Sequence, residues 1–303
     1  MPNSLLYALA TLIWGSTWLA ITFQYGTVPA TASVAYRFLL SGAVMLLWCA
    51  YRRIPLRLPL HQALWIALQG GLMFGLGYML VYEAERHISS GLVAVLNSSM
   101  VAFNLIGARL AFGRRIDGKS ALGAMLGILG IVLVFWPELS EVRGKEALHG
   151  ALCAILAAIC ASTGNMVAQR NREAQVPLLP TIGYGMLVGG GLALLTTVAT
   201  GQPVVFDTRP SYLLSLAYLS CFGSILAFAA YLTLLGRIGA ARSGYIAVAV
   251  PVLALLLSSR FEHYAWHTVT VCGIAVAIVG NVIMLADVRV LLGRLSGRLE
   301  ART

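Results

Sequence analysis

Charge is scarce in this 303-residue chain: 11% of residues are Asp, Glu, Lys or Arg, against about 25% in soluble domains. With 59% hydrophobic residues and a mean hydropathy of +0.84, a soluble globular domain is excluded. Carboxylates are scarcer than bases, 11 against 21, and none lies near the middle of an apolar run. The intramembrane Asp or Glu relay common in proton-driven proteins is therefore missing. Cysteines are few. Cys49, Cys153, Cys160, Cys221 and Cys272 each lie alone in an apolar run with no C-x-x-C spacing, which indicates neither a disulfide framework nor a zinc site. Paired intramembrane aspartates are lacking, as is a serine with a buried histidine, so membrane hydrolysis is disfavoured. Gly189-Gly190-Gly191 lacks the lysine and preceding strand of a phosphate loop. No cofactor is expected.

Long apolar runs are present instead. A spanning helix needs roughly 20 apolar residues to cross about 30 Å of hydrocarbon, and the runs show none of the period-2 alternation of barrel strands. Windows of about 19 residues predict helices at 4–24, 30–51, 63–82, 89–112, 118–136, 147–167, 178–199, 212–235, 241–259 and 266–286. The chain is read as all-α and integral to the membrane. No room remains for a large soluble domain. The first run, Leu5 to Phe23, lacks the basic start and cleavage site of a signal peptide and is expected to be retained.

The net charge of +10 has its own explanation in this frame. The bases sit in short loops and form no continuous patch, so no nucleic-acid partner is expected. Fourteen of the 21 lie on the side of the two termini and five on the other. Cytoplasmic loops collect Lys and Arg; both termini are therefore expected in the cytoplasm and the chain in the inner membrane. The tail, 288–303, alternates leucines with Arg289, Arg294, Arg298 and Arg302, either as a helix on an anionic lipid surface or as a disordered basic segment.

Shifting the chain by 150 positions superposes Ile88 on Ile238, Leu105 on Leu255, Gly123 on Gly273, Ile128 on Ile278, Gly130 on Gly280 and Val132 on Val282. A slightly different offset brings Ser16-Thr17 onto Ser162-Thr163. The expected organisation is a first five-helix repeat over 1–138, an outer connection at 139–146, a second repeat over 147–287 and the cytoplasmic tail. An odd number of helices per repeat inverts the second relative to the first. Inverted repeats in transporters enclose a substrate site near the midplane, so a small-molecule substrate and a lipid bilayer are the expected partners. Oligomeric state is left open.

The order of several short strings resembles the EamA-type branch of the drug/metabolite transporter superfamily, over nearly the whole chain. These strings are Leu12-Ile13-Trp14-Gly15-Ser16-Thr17, Pro29 followed by Tyr36 to Gly42, the glycines 123, 127 and 130, and Pro251 through Glu262 with Gly273 and Gly280. The resemblance implies ten helices in two inverted five-helix repeats around a central cavity, with the fifth and tenth at the periphery. Within the superfamily the chain looks most like bacterial exporters of amino acids, aromatic ones included. It departs from the family pattern at Met100, where a proline is usual, and at Arg114, where an acidic residue is common.

Candidate site residues follow from side chains that are unusual in a span. Trp14 and Trp18 share a helical face at i, i+4, and Tyr78 and Tyr82 repeat the spacing. Such rings either line a cavity, where they take flat or cationic groups, or form an interfacial belt. Asn97, Ser98, Ser99 and Asn104, with Ser162, Thr163 and Asn165, either bind a zwitterion through neutral hydrogen bonds or join helices. Pro251 removes a helical bond to the Ala247 carbonyl, for ligand binding, gating or a simple kink. Arg37 is the one charge well inside a span. It either meets a substrate carboxylate, pairs with Glu83 or Glu85, or holds helices together, and the recurrence of its motif in the family favours the structural role. Glu262, His263 and His267 lie in a loop where no single helical face joins them, so no metal is expected there. The rival classes are a transporter of another solute, such as a nucleoside, sugar conjugate or drug, an integral membrane enzyme, and a receptor or scaffold.

Overall fold

In hydrocarbon every backbone N–H and C=O has to be satisfied within the protein, which leaves an apolar chain of this composition one solution: helices packed on helices. The computed structural model describes residues 1–113, 115–140, 144–231, 233, 234, 237, 246–264 and 266–285. Among them there is no strand. In chain order the helices are α1 (Asn3–Thr22), α2 (Ala30–Tyr51), α3 (Leu60–Ala84), α4 (Ser90–Phe112), α5 (Gly118–Ser140), α6 (Gly144–Glu173), α7 (Leu178–Ala199), α8 (Pro210–Tyr231), α9 (Ile246–Phe261) and α10 (Thr268–Leu285). The first eight are long and apolar enough to cross a membrane, and the last two are shorter apolar helices. Large aliphatic side chains such as Leu47, Leu64, Leu110, Leu195 and Leu214 are exposed on the outside of the bundle, where lipid, not water, is their natural solvent.

Most expected helix ends fall within a few residues of the observed ones. The polar stretch expected as an outer connection, 139–146, is mostly helical: α5 continues through Ser140 and α6 begins at Gly144. Glu146 in the first turn of α6 complements the helix dipole. The same helix outruns its expected end at 167 by six residues, with Arg170 and Arg172 in its last turn. There Arg170 and Asn171 bond Gln62 and Gln69 of α3. Residues 241–245 of the ninth expected helix and the tail 288–303 lie outside the described residues.

The closest packing joins α5 to α10 and α2 to α7. Both pairs run antiparallel, because Gly130 meets Gly273 while Gly280 meets Gly123, and Gly42 meets Gly183 while Gly190 meets Ala35. A side chain on Gly130 would bring Cβ to 2.6 Å from the Gly273 carbonyl oxygen. Small residues are what let these backbones approach.

Among the described residues three helices depart from regular winding. α4 is interrupted by a turn at Ser98 and Ser99, and Ser98 turns its hydroxyl back on the Val95 carbonyl at 2.6 Å. Such back-bonding competes with helical hydrogen bonds. The other two carry π-helical turns, Gly71–Leu76 within α3 and Tyr218–Leu226 within α8. Turns of this kind are uncommon and recur at functional sites.

Candidate functional site

Polar contacts from α1 and α2 converge on the π turn of α8. Widening the helix by one residue per turn redirects carbonyls and side chains that a regular helix would keep along its axis. From α1, the Trp14 Nε1–H donates to the Gly223 carbonyl at 3.2 Å, and the Ser16 hydroxyl meets the Tyr218 hydroxyl at 2.7 Å. From α2, the Arg37 Nε–H donates to Ser224 Oγ at 3.4 Å, and the Ser41 hydroxyl reaches both its own Arg37 carbonyl at 2.7 Å and the Ser220 carbonyl at 3.3 Å. Ser220 returns a bond to the Arg37 carbonyl at 3.3 Å. Gly223 has no room for a side chain, since Cβ would sit 2.8 Å from Thr17 Cγ2 and 3.5 Å from Arg37 Nη2.

An aromatic series runs through the same place. Trp14 packs against Phe228 and Tyr231 at 5.3 Å between centroids, Phe228 meets Phe74, Phe74 meets Phe38, and Phe38 meets Tyr78. The Arg37 guanidinium closes the series, 4.7 Å from the Tyr78 ring centre, within the range of a cation–π attraction. Its Nη1 is buried with no hydrogen-bond partner among the described residues. The guanidinium, the bonded carbonyls and the aromatic faces thus tie α1, α2, α3 and α8 together at one place in the bundle.

Beyond this centre, toward the end of the bundle opposite Met1, a second buried group closes over it. Tyr82 is fully buried and donates to Gln24 Oε1 at 2.8 Å, while the Tyr25 hydroxyl donates to the Tyr82 carbonyl at 2.9 Å. Glu85, one residue past α3, has both carboxylate oxygens buried without a hydrogen-bond partner among the described residues. Burial pushes its carboxyl well above the usual range; Glu262 adds to the rise and Arg37 opposes it. Glu262 itself is committed to the start of α4, accepting from the Ser90 backbone N–H at 3.2 Å and from its hydroxyl at 2.5 Å. Arg37 makes no ion pair with Glu83, which instead binds Arg86 and His87.

The residues singled out from sequence divide accordingly. Trp14 and Tyr78 join the aromatic series. Trp18, like Tyr78, packs against the main apolar core, whereas Trp14 packs against the cluster of Leu6, Ala10 and Ile246. Tyr82 belongs to the closed end. Asn165 donates to Asn104 at 3.3 Å and to Met100 Sδ at 3.6 Å, joining α6 to α4, and Ser162 is buried on the same helix. Asn97 Oδ1 and the Ser99 hydroxyl are buried at the α4 break with no hydrogen-bond partner among the described residues. Ser98 and Pro251 line a small cleft with Val95, Val252, Ile274 and Asn281. Sequence reading missed Tyr218, Ser220, Gly223 and Ser224, although a row of hydroxyls around a glycine inside a span is a visible signal. It also missed Phe74, Phe228 and Tyr231.

A bundle of lipid-facing helices whose interior gathers aromatic and polar side chains defines a multi-pass membrane protein of the transporter class. The chain belongs to the EamA-like transporter family, whose model matches residues 2–136 and 148–286. It is 28% identical over 252 residues to the uncharacterized inner membrane transporter YedA of Escherichia coli K12, covering 82% of this chain and 79% of that one. A probable amino-acid metabolite efflux pump of the same organism is 23% identical over 277 residues, 85% of this chain and 88% of its own. The uncharacterized transporter YoaV of Bacillus subtilis is 22% identical over 253 residues, 81% and 83% of the two chains. A solved crystal structure shares the fold with a TM-score of 0.67 at 20% identity, covering 93% of this chain and 96% of its own.

Proposed function

We propose that the chain is an inner-membrane exporter of small amphipathic metabolites, amino acids including aromatic or large neutral ones, working by alternating access. The observation that carries this reading is the meeting of Trp14 and Arg37 on the π turn of α8, with the Tyr78 ring against the Arg37 guanidinium. Rings and redirected carbonyls there serve a zwitterion with an apolar side chain. The similarity to an amino-acid metabolite efflux pump supports the same substrate class.

The working unit is ten spans in two inverted repeats, 1–138 and 147–287, joined at 139–146 and followed by the tail 288–303. Support comes from the antiparallel pairing of α2 with α7 and of α5 with α10. Repeats of equal orientation would set equivalent helices parallel. Gly123 and Gly273 are equivalent at an offset of 150, as are Gly130 and Gly280, and the contacts exchange them: 130 with 273, 123 with 280. This reciprocity is the mark of a two-fold axis. The bias of basic residues puts both termini in the cytoplasm. The Tyr82, Gln24, Tyr25 and Glu85 group is then the closed outer gate, and Arg37 is the structural tie that holds α2 to α8 beneath it. Trp14 and Trp18, Tyr78 and Tyr82, and the polar residues Asn97, Ser98, Ser99, Ser162 and Asn165 line the substrate path, with Pro251 permitting α9 to bend.

Counterflow of a labelled amino-acid panel into liposomes containing only this protein, with and without a pH gradient, tests the reading. Saturable flux of aromatic or large neutral amino acids is the expected result. Absence of amino-acid flux from folded protein overturns the substrate class, and covalent change of a substrate would overturn transport itself.

A further inference from the structure

On the face of the bundle opposite Met1, the end of α3 and the start of α6 bring three donor side chains together. Nε2 of His87 lies 3.1 Å, and Nε2 of His149 3.7 Å, from the same oxygen, Oε1, of Glu83. The imidazoles meet edge to face with centroids 4.7 Å apart, and one ligand atom from each of the three residues lies within 4.8 Å of the others. The second Glu83 oxygen is held by Arg86 Nη1 at 3.1 Å, which orients the carboxylate and leaves Oε1 to the histidines. One turn along α6, Cys153 places Sγ 3.7 Å from His149 Nε2. Glu83 with His87, and His149 with Cys153, are thus two i, i+4 pairs facing each other across a seam between helices. The imidazoles and the carboxylate are partly open to the surface, with side-chain exposures of 26%, 55% and 34% for His87, His149 and Glu83.

We propose that Glu83, His87 and His149, with Cys153 as a fourth donor, form a binding site for a divalent metal ion of the zinc class. Tetrahedral zinc, with bonds of about 2.0–2.3 Å to nitrogen, oxygen and sulfur, separates its donors by about 3.3–3.6 Å. Glu83 Oε1 to His87 Nε2 at 3.1 Å, Glu83 Oε1 to His149 Nε2 at 3.7 Å and His149 Nε2 to Cys153 Sγ at 3.7 Å lie near that edge. With the ligand atoms of Glu83, His87 and His149 all within 4.8 Å of one another, side-chain rotation suffices to draw the set around an ion. Imidazole and thiolate donors select zinc-like ions over calcium or magnesium, which take oxygen. Arg86 supplies the outer support that orients a ligating carboxylate. The loop set Glu262, His263 and His267 offers no such convergence, because Glu262 is bound to Ser90. Glu83 and His87 come from the first half of the chain and His149 and Cys153 from the second, so a bound ion staples the halves at this face.

Zinc titration of the purified full chain in detergent, in competition with a chromophoric chelator, tests the site. One equivalent is expected to bind, and His87→Ala and His149→Ala are each expected to weaken it by about tenfold or more with an unchanged gel-filtration profile. Cobalt used as a spectroscopic probe should give tetrahedral d–d bands and a sulfur-to-cobalt charge-transfer band that Cys153→Ser abolishes. No binding, or equal binding by wild type and the double histidine variant, overturns the proposal; a wild-type cobalt spectrum without the charge-transfer band removes Cys153 from the ligand set.

Discussion

The two π turns use one backbone device for opposite ends. In α3, Gly71–Leu76 is apolar: Phe74 faces the core, Gly75 lies against Gly189 of α7, and Met73 fills the space beside Gly164 of α6. In α8, Tyr218–Leu226 spends the same widening on polar contacts, with Tyr218, Ser220, the Gly223 carbonyl and Ser224 all bonded to α1 or α2. The two irregularities therefore differ in what they meet: polar partners on α1 and α2 at one, rings and small residues at the other. In α3 the extra residue per turn serves close packing; in α8 it turns hydroxyls and carbonyls toward α1 and α2.

Substitutions can break that contrast or sharpen it. The largest effect is expected from Arg37→Ala, which strips a buried charge-assisted contact from the α8 turn and should lower stability by about 1.5–3 kcal/mol, read as folded yield and thermal midpoint in detergent. A well-folded variant with selectively weakened carboxylate affinity would instead move Arg37 into the substrate site. Beside the apolar turn, Gly70→Ala drives Cβ into the Gly185 carbonyl. Overpacking of this kind costs about 1–3 kcal/mol, and the surviving protein should keep its apparent KM. Trp14→Ala and Tyr78→Ala should do the reverse, leaving folded protein with flux reduced about tenfold, or about 1.4 kcal/mol. Normal kinetics in both would sink the aromatic reading. The smallest change is expected from Trp14→Phe, which keeps one aromatic ring while losing the N–H to Gly223 and part of the indole face, at about 1 kcal/mol in apparent affinity.

How far this was legible in the sequence follows from what periodicity can see. Helix positions came from length and hydropathy, and the glycines that bring α5 to α10 were visible as small residues at equivalent spacing. Trp14 and Tyr78 stood out because aromatic pairs at i, i+4 are conspicuous. The π turns did not. Ser220 and Ser224, four residues apart, share a face that the sequence displays, but the widened turn that lets both bond α2, with Tyr218 and the Gly223 carbonyl turned to α1, leaves no mark in a 3.6-residue period. The same turn hid Phe228, whose ring lies against Trp14. Asn165 and Asn104 were visible as polar residues, but their pairing with each other depends on how α6 crosses α4. The convergence of Glu83 and His149 needs the packing of α3 on α6, which nothing local encodes.

The most direct measurement is equilibrium binding of the labelled amino acid that counterflow identifies, compared among wild type, Trp14→Ala and Asn165→Ala, all verified as folded. Binding lost in Trp14→Ala and only weakened in Asn165→Ala is the expected result, with the substrate held at the α1–α8 centre and Asn165 on its path. Full binding by Trp14→Ala with loss in Asn165→Ala would contradict it and move the site to the α4–α6 interface.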